Sequence, residues 1–356
     1  MTGPAANNDD TTPLRPGYGF DEAQLDRWMA ENVEDYQGPL SIRQFRGGQS
    51  NPTFLLITPG RRYVLRRKPL GKLLKGAHAV EREARVLTAL ADTPVPVAKV
   101  YGLCTDEDVI GSAFYVMEMV EGRIFWDATF AEVPAAQRPL YFDAMNEAIA
   151  RLHSIDPASV GLAEFGRPGN YFERQIARWS AQYLDDELAG RDANMDRLLE
   201  WLPANVPAVQ EAAIIHGDFR CDNMIFHPVE PKILAVLDWE LSTLGDPLAD
   251  FGNHALMYHM PPHIVAGLGD ADLESMNIPS EQDYITAYCR RTGREGLPGY
   301  DFTIAFNFFR LAAIFHGIKG RALRGTASSA QAEARAAAFP ELAELGWRHA
   351  SRIRAK

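Results

Sequence analysis

Apolar positions in the first half of the chain form short runs and one helical stripe. The runs Thr53 to Ile57 and Phe114 to Val120 have the length and composition of strands. Between them, apolar residues spaced by four, three and four predict a helix over residues 78–90 with one buried face. The members of this stripe are Val80, Ala84, Leu87 and Ala91.

Glu83 falls on this apolar stripe, three residues after Val80 and four before Leu87. A carboxylate that faces a protein core is costly unless a cation meets it. The helical phase therefore predicts a buried ion pair for Glu83. A solvated position at the edge of the stripe is the alternative.

Apolar stripes at helical spacing continue through the second half of the chain and predict a mainly helical region. Asp246 followed by Pro247 predicts a helix start, with the acid as cap and the proline in the first turn. The stripes are Met145, Ala148, Ile149 and Leu152; Phe172, Ile176, Trp179 and Tyr183; Met195, Leu198, Leu199 and Leu202; and Phe308, Leu311, Phe315 and Ile318.

One hairpin is predicted inside this helical region. The apolar runs 224–226 and 233–237 flank the turn-forming segment 227–231. Residues that face each other in such a hairpin have numbers that sum to about 460, so Asn223 is expected roughly opposite Asp238. Asp218 comes five residues before Asn223 and is expected near the same end of the hairpin.

Carboxylate and amide oxygens of this kind suit Mg²⁺, which takes one or two carboxylates and fills its other positions with water and phosphate. The three residues Asp218, Asn223 and Asp238 therefore predict a site for phosphoryl transfer.

Composition narrows the classes of partner. The chain has 356 residues, of which 46% are hydrophobic, and this is ample for a large core. A net charge of -11 argues against general affinity for nucleic acid or for an anionic membrane surface. No run approaches the roughly 18 apolar residues of a membrane span. The expected partner is a small molecule.

The three cysteines, Cys104, Cys221 and Cys289, are odd in number and far apart, which argues against a disulfide framework or a zinc site. A reducing cytoplasm fits this usage. The start of the chain shows neither a basic nor an apolar segment, so no secretory signal is expected, and residues 1–16 are predicted to be a disordered tail.

Several enzyme classes lack their motifs in this sequence. The chain has no glycine-rich dinucleotide fingerprint after a strand, no Gly-Lys-Ser/Thr phosphate loop, no His-Glu-x-x-His and no nucleophile elbow. Dehydrogenase, P-loop ATPase, metalloprotease and serine hydrolase functions are therefore not predicted.

The segment His216-Gly217-Asp218, with Asn223 five residues after Asp218 and an apolar strand that ends at Asp238, resembles the catalytic and metal loops of the kinase-like fold. The endings Leu237 to Glu240 and Gly245 to Asp250 resemble the aminoglycoside phosphotransferase and choline kinase superfamily in particular. The branch that they resemble most is the phosphotransferase-like domain fused to some acyl-CoA dehydrogenases. The resemblance covers roughly residues 40 to 320.

This resemblance implies an α+β, bilobal, protein-kinase-like fold. The small lobe would span residues 17–117 and contain a five-stranded antiparallel sheet with the Glu83 helix. A hinge over residues 118–122 would lead to a larger helical lobe over residues 123–356, which carries the catalytic and metal loops.

The resemblance also implies roles for the oxygen-bearing residues. Asp218 would orient and deprotonate an acceptor hydroxyl, while Asn223 and Asp238 would hold Mg²⁺ on the phosphates of ATP. Asp250 would brace the catalytic loop from below.

At the donor end, Gly47, Gly48, Ser50 and Asn51 would form a turn that covers the phosphates, an ordinary structural turn being the alternative. Backbone groups of Glu118 and Val120 would meet the adenine, an ordinary core strand being the alternative interpretation of residues 114–122.

Arg66 departs from the family pattern, because this fold usually carries a lysine at that place on its third strand. An arginine fork binds phosphate oxygens but is broader than a lysine. We expect Arg66 to bind the phosphates and to pair with Glu83. The alternatives are that Arg66 only forms a salt bridge, or that Arg67 or Lys68 takes its place at the phosphates.

The predicted function is an ATP-dependent phosphotransferase that acts on a hydroxyl group of a small molecule. The acceptors that remain open are aminoglycosides, choline-like alcohols, sugars, and a hydroxylated acyl compound or its CoA ester. The resemblance to the domain fused to acyl-CoA dehydrogenases favours the last of these. ATP and GTP are not distinguished, and neither is the oligomeric state. A non-catalytic nucleotide-binding pseudokinase or scaffold is the alternative, motivated by Arg66.

Two charged segments are candidates for contact with the acceptor. Acidic residues between 183 and 196 could attract a cationic acceptor, and the cations Arg310, His316, Lys319 and Arg321 could receive an anionic one. Solvated helix surfaces are the default interpretation of both.

Overall fold

The structure is a computed structural model that describes residues 6–7, 10–46, 51–70, 79–167, 169–265, 267–326 and 330–353. The chain divides into two compact units. The first unit comprises Met1–Trp126, Val160–Leu162 and Arg220–Ser242, and the second comprises Asp127–Ser159, Ala163–Phe219 and Thr243–Lys356.

A six-stranded antiparallel sheet forms the centre of the first unit. In spatial order its strands are β2 (Thr11–Thr12), β3 (Ser41–Phe45), β4 (Thr53–Ile57), β5 (Arg62–Arg67), β7 (Phe114–Glu118) and β6 (Val100–Cys104). The sixth strand, β2, comes from the segment predicted to be a disordered tail, where Thr11 pairs with Phe45. This part of the tail is therefore ordered, and the prediction of five strands was one short.

Strand alternation gives the two faces of this sheet different partners. Tyr63 and Leu65 of β5 pack in a core with α1 (Glu22–Asn32), whereas Val64 lies on the opposite face. Because successive side chains point to opposite faces, Arg66 shares the face of Val64 and Arg67 shares the face of Leu65.

The predicted amphipathic helix is α2, which spans Val80–Leu90. Val80, Ala84 and Leu87 are all buried, as the stripe predicted. Glu83 lies on the same buried face, with 1% of its surface exposed, so the alternative of a solvated edge position was wrong.

The predicted hairpin is also present in the first unit, as β10 (Met224–Phe226) and β11 (Ile233–Val236). It extends through β8 (Arg123–Ile124) to β1 (Ala6–Asn7) in a four-stranded sheet. Met224 faces Val236, which places Asn223 beside Leu237, one residue before Asp238. The Leu237 N–H donates to the Asn223 carbonyl at 2.8 Å.

Helices dominate the second unit, where β9 (Ala213–Ile215) and β12 (Thr243–Gly245) form a two-stranded sheet. Asp246 caps α6 by accepting a hydrogen bond from the Leu248 N–H at 2.8 Å, which confirms the predicted helix start. The helices are α3 (Arg138–His153), α4 (Tyr171–Asp185), α5 (Ala193–Ala204), α6 (Pro247–Ala255), α7 (Glu281–Thr292), α8 (Tyr300–Leu323) and α9 (Ala330–Arg352).

The unit boundaries differ from the predicted lobe boundaries, because residues 220–242 group with the sheet of the first unit although the prediction assigned them to the helical lobe. The physical reason is that β10 pairs with β8, so the hairpin joins strands of the first unit.

Within the described part of the chain, every helix is too short or too polar to cross a membrane.

Candidate active site

A cluster of buried and partly buried charges surrounds Arg66 in the first unit. The Arg66 Nε lies 3.0 Å from the Glu83 Oε2, and its Nη2 lies 2.7 Å from the Asp238 Oδ1. The Glu240 Oε2 is 3.6 Å from the same Nη2. Arg66 is 11% exposed and Glu83 is 1% exposed, so the pair predicted from helical phase is present and buried.

Two neutral side chains complete the surroundings of Glu83. Asn51 Nδ2 donates to the Glu83 Oε1 at 2.7 Å, and the Tyr115 hydroxyl donates to the Oε2 at 3.1 Å. The register of the sheet explains the second contact, because Tyr115 of β7 lies directly opposite Arg66 of β5. Both carboxylate oxygens of Glu83 are thus satisfied inside the protein, as a buried charge requires.

The electrostatics keep Arg66 cationic. Burial alone would lower the Arg66 pKa, but the adjacent carboxylates of Glu83 and Asp238 outweigh it and raise that pKa. Burial raises the pKa of Glu83, and the Arg66 guanidinium opposes this shift.

Neither alternative cation occupies the place of Arg66. Arg67 packs its guanidinium over Phe20 and Phe54, at 5.0 and 5.4 Å from the ring centroids, and burial lowers its pKa. Lys68 pairs with Glu81 on the first turn of α2. Of the three consecutive cations, Arg66 is the one that contacts Glu83 and Asp238.

Asn223 and Asp238 carry the kinds of oxygen that Mg²⁺ prefers and are the candidate ligands. Their chain positions are neighbours across the hairpin, and Asp238 takes a left-handed backbone conformation with φ of 62° at the end of β11. In the described ranges no group of three or more histidine, cysteine, aspartate or glutamate side chains is arranged for a metal. One carboxylate and one amide oxygen suit an ion that keeps water and phosphate ligands rather than a closed protein site.

Asp218 belongs to the second unit and lies on a loop whose backbone is held by side chains. We refer to residues 216–219 as the Asp218 loop. Asp250 accepts the N–H groups of His216 and Gly217, each at 2.8 Å, which confirms the predicted bracing. Gly217 has a φ of +85°, which a glycine adopts without strain.

Asp250 is itself buried and stays ionised. Burial raises its pKa, but a hydrogen bond from His153 at 3.2 Å and the N–H donors outweigh burial and lower that pKa. His153 is fixed in turn by the Tyr288 hydroxyl at 2.7 Å.

His254, one turn after Asp250 on α6, holds the far end of the Asp218 loop. Its Nδ1 lies 3.0 Å from the Phe219 carbonyl oxygen and its Nε2 lies 2.6 Å from the Tyr284 hydroxyl. Since a carbonyl only accepts, we assign the proton to Nδ1. Burial lowers the pKa of His254 to about 4, so the ring is neutral at pH 7.

The remaining predicted site residues have varied positions. Glu118 is the last residue of β7, with its side chain exposed, and Val120 follows before β8. Asn51 is buried against Glu83 rather than at the surface of a turn. Gly47, Gly48 and Ser50 lie outside the described residues. The expected convergence of Asp218 with Asn223 and Asp238 stays a prediction.

Several members of the two charged candidate segments make local contacts. Asp186 pairs with Arg324, Asp196 pairs with Arg191, and Asp192 caps α5. His316 is buried, with its Nε2 2.8 Å from the Gly190 carbonyl oxygen. The default interpretation as solvated surfaces was therefore wrong for His316, which is a core residue.

A family model described as the phosphotransferase enzyme family matches residues 41–283. The chain belongs to this family. It is 40% identical over 346 residues to mouse acyl-CoA dehydrogenase family member 10, and 42% identical over 353 residues to chicken acyl-CoA dehydrogenase family member 11. Each alignment covers 96% of this phosphotransferase family member. The chain spans only 32% of the length of the mouse protein and 45% of the length of the chicken protein.

Solved structures of similar proteins show the same fold. A Ralstonia eutropha protein assigned provisionally as an aminoglycoside phosphotransferase is 47% identical, with a TM-score of 0.89 over 95% of this chain and 100% of that chain. The aminoglycoside phosphotransferase APH(4)-Ia, solved with ADP and hygromycin B, has a TM-score of 0.60 at 14% identity and covers 94% of this chain and 99% of that chain. The predicted α+β kinase-like fold of this phosphotransferase is confirmed.

Sequence reasoning missed three contributors to these sites: Tyr115, Glu240 and His254. Glu240 stands in the quoted motif, two residues after Asp238, and could have been proposed from it. Tyr115 follows only from sheet register, and His254 only from the packing of α6, so neither carries a signal in the linear sequence.

Proposed function

We propose that the protein transfers the γ-phosphate of ATP to a hydroxyl group of a small molecule. The observation that carries this proposal is the buried Arg66 bridging Glu83 and Asp238 in the first unit. A cation fixed in this way beside a candidate metal ligand is the arrangement that phosphate binding needs.

Arg66 is the proposed phosphate-binding cation. Its Nε forms an ion pair with Glu83, its Nη2 donates a hydrogen bond to Asp238, and Asn51 and Tyr115 bond to Glu83, so these contacts would orient the guanidinium before any ligand arrives. Asn223 and Asp238 would hold Mg²⁺, which supplies charge neutralisation on the phosphates. Glu118 and Val120 are proposed to meet the adenine with backbone groups.

Asp218 is the proposed general base. The acceptor hydroxyl would give its proton to the Asp218 carboxylate while its oxygen bonds to the γ-phosphorus, and the bond from that phosphorus to the bridging oxygen breaks to release ADP. A positioned general base typically contributes a factor of about 10² to 10⁴ in rate. Asp250 and His254 prepare this step by fixing the backbone on both sides of Asp218.

For the acceptor we favour a hydroxylated acyl compound or its CoA ester. The support is that curated relatives are named as acyl-CoA dehydrogenase family members and that this chain matches less than half of their length. Hygromycin B on a protein of the same fold supports a small-molecule acceptor in general. Aminoglycosides, sugars and choline-like alcohols remain the comparison compounds.

A screen of ATP consumption over hydroxy compounds tests the proposal, with Asp218→Asn as the blank. We expect at least one hydroxylated acyl compound to accelerate ATP consumption by the wild type. We expect no compound to accelerate ATP consumption by Asp218→Asn. Equal rates in the two proteins would refute the role of Asp218.

The second candidate function is a non-catalytic nucleotide-binding protein, favoured by the arginine at position 66. It predicts that MgATP raises the thermal stability while no compound provokes ATP consumption. Nucleotide at about one hundred times its Kd adds ~2.7 kcal/mol to the free energy of unfolding. Thermal shift and consumption measured on one sample therefore separate the two functions.

We also propose a reducing compartment such as the cytoplasm. Cys104 and Cys289 are buried thiols outside any disulfide in the structure, which supports this assignment. Thiol labelling of the unfolded protein, purified without reductant, should find all three as free thiols.

A further inference from the structure

We propose that Arg310 is a positioning residue for Asp218. Arg310 lies on α8, and it would fix the peptide group that joins Gly217 to Asp218. The inference rests on the proposed function, in which Asp218 is the general base.

Both polar atoms of this peptide group are hydrogen-bonded. The Arg310 Nη2 donates to the Gly217 carbonyl oxygen at 2.8 Å. The N–H of the same peptide, which belongs to Asp218, donates to the His216 Nδ1 at 3.2 Å. The plane of the peptide that precedes Asp218 is therefore held at both ends.

Glycine at position 217 makes such a clamp necessary. Gly217 has a φ of +85°, and glycine rotates between conformations more freely than any other residue. If the carbonyl were released, the Gly217–Asp218 peptide could rotate about its flanking bonds, and the Cα–Cβ direction of Asp218 would change with it. Asp250 does not prevent this rotation, because it holds the two preceding N–H groups.

The surroundings of Arg310 favour this role over a surface charge. Arg310 is half-buried, and in the described part of the chain no carboxylate lies within ion-pair distance of it. Its one hydrogen bond there goes to the Gly217 carbonyl. Partial burial of a cation that has no carboxylate partner costs free energy. The hydrogen bond from the Arg310 guanidinium to the Gly217 carbonyl is charge-assisted, so it is stronger than a hydrogen bond between two uncharged groups.

The packing of α8 explains how Arg310 reaches the loop. Thr303, Asn307 and Arg310 follow at spacings of four and three, so they share one face of the helix. Asn307 donates to the Ala249 carbonyl of α6 at 2.9 Å. At Gly252 of α6, an added Cβ would lie only 2.6 Å from the Thr303 hydroxyl, so the two helices approach closely along this polar stripe.

The test compares Arg310→Met and Arg310→Lys with Arg321→Met, an exposed arginine on the same helix. The substrate is MgATP with water as the acceptor, so that no acceptor need be known. We expect Arg310→Met to lower kcat about 10- to 100-fold with the KM for ATP unchanged, because one charge-assisted bond to the loop is lost. Arg310→Lys should recover part of kcat, and Arg321→Met should match the wild type.

Hydrogen–deuterium exchange of residues 214–222 supplies a readout that does not depend on turnover. We expect faster exchange in Arg310→Met than in the wild type and no change in Arg321→Met, with unfolding temperatures recorded for all variants. Unchanged local exchange, or a kcat within twofold of the wild type, would overturn the proposal. A rise in KM that accounts for the whole loss would overturn it as well.

The outcome for Asp218→Asn separates this inference from the proposed function. If that variant consumes ATP as fast as the wild type, the proposed function fails, and the exchange measurement alone decides whether Arg310 clamps the loop. If Arg310→Met does not fold, Arg310→Lys decides, since lysine keeps the charge but lacks the guanidinium that reaches the Gly217 carbonyl.

Discussion

Candidate residues in the two units are held in place by different kinds of contact. In the first unit, side chains hold side chains, as Glu83 and Asp238 both form ion pairs with the Arg66 guanidinium. In the second unit, side chains hold backbone, as Asp250 and His254 bond to peptide groups of the Asp218 loop. Charged side chains can exchange partners when an ion or phosphate arrives, whereas a backbone clamp keeps one geometry.

This difference assigns separate consequences to mutations in the two units. Changes around Arg66 should alter nucleotide affinity together with stability, because the cluster is buried and charged. Changes in the Asp218 loop should alter turnover with little effect on nucleotide affinity. The predictions below test whether the two regions separate in this way.

Asp218→Asn should produce the largest change in activity. We expect kcat to fall by a factor of about 10² to 10⁴, because asparagine cannot accept the proton of the acceptor hydroxyl. The stabilisation by MgATP should persist. Steady-state ATP consumption and thermal shift measure the two quantities, and Asp301→Asn, an exposed aspartate in the first turn of α8, is the control. A variant that lost nucleotide binding as well would remove the proposed separation.

Arg66→Met should lower both stability and nucleotide affinity. Removing one partner of a buried ion pair costs about 3–5 kcal/mol, because the buried Glu83 carboxylate would lose its cation and would have to stay charged alone or take up a proton. Denaturant unfolding measures this loss, and a large rise in the KM for ATP should accompany it. Arg62→Met is the matched control, on the same strand and face but paired with the exposed Glu121.

A double variant sharpens this prediction. In Arg66→Met with Glu83→Gln, a neutral amide replaces the unpaired carboxylate and keeps bonds to Asn51 and Tyr115. We expect much of the stability to return while the KM for ATP stays high. Recovery of both quantities would show that Arg66 serves only the fold.

Local patterns predicted those parts of the fold that local interactions determine. The buried face of α2, the register of the β10–β11 hairpin and the cap of α6 follow from apolar spacing and turn chemistry. The strand β2 could not be predicted in this way. It has two threonines without an apolar pattern, and the backbone of β3 selects it.

The site shows the same division between local and tertiary information. Helical phase predicted the burial of Glu83, and strand alternation separates Arg66 from Arg67 on β5. By contrast, His254 and Arg310 are polar residues on helices of ordinary appearance. Their bonds to the Asp218 loop depend on how α6 and α8 pack, which no spacing in the sequence reveals.

The pH dependence of stability should reflect the neutral His254. Its folded pKa, about 4, lies below the ordinary value of 6.5, so the unfolded state binds the proton more readily. The contribution of His254 is therefore complete above pH 6.5 and is lost as the pH falls from 6.5 to 4, by about 3 kcal/mol. Denaturant unfolding at pH 7 and pH 4.5 measures the loss.

Two histidine variants separate this effect from general acid unfolding. His254→Gln should make the dependence between pH 6.5 and pH 4 shallower, because glutamine does not titrate there, while His349, whose pKa burial also lowers to about 4, keeps its own contribution. His263→Gln, an exposed histidine paired with Glu341, should leave the dependence as in the wild type. Equal slopes in the wild type and in His254→Gln would mean that another group dominates.

Asp238→Ala should remove the part of nucleotide binding that depends on metal. In the wild type, MgATP at about one hundred times its Kd adds ~2.7 kcal/mol to the free energy of unfolding, and EDTA should remove much of this gain. In Asp238→Ala we expect no difference between MgATP and ATP with EDTA. Glu230→Gln, at the exposed turn of the same hairpin, is the control and should respond as the wild type does. If Asp238→Ala keeps the full response to Mg²⁺, then the bond between Asp238 and Arg66 is structural only.

In that case the charged side chains of the first unit would keep one fixed arrangement, as the backbone of the Asp218 loop does in the second unit. The metal ligands would then be residues other than Asn223 and Asp238.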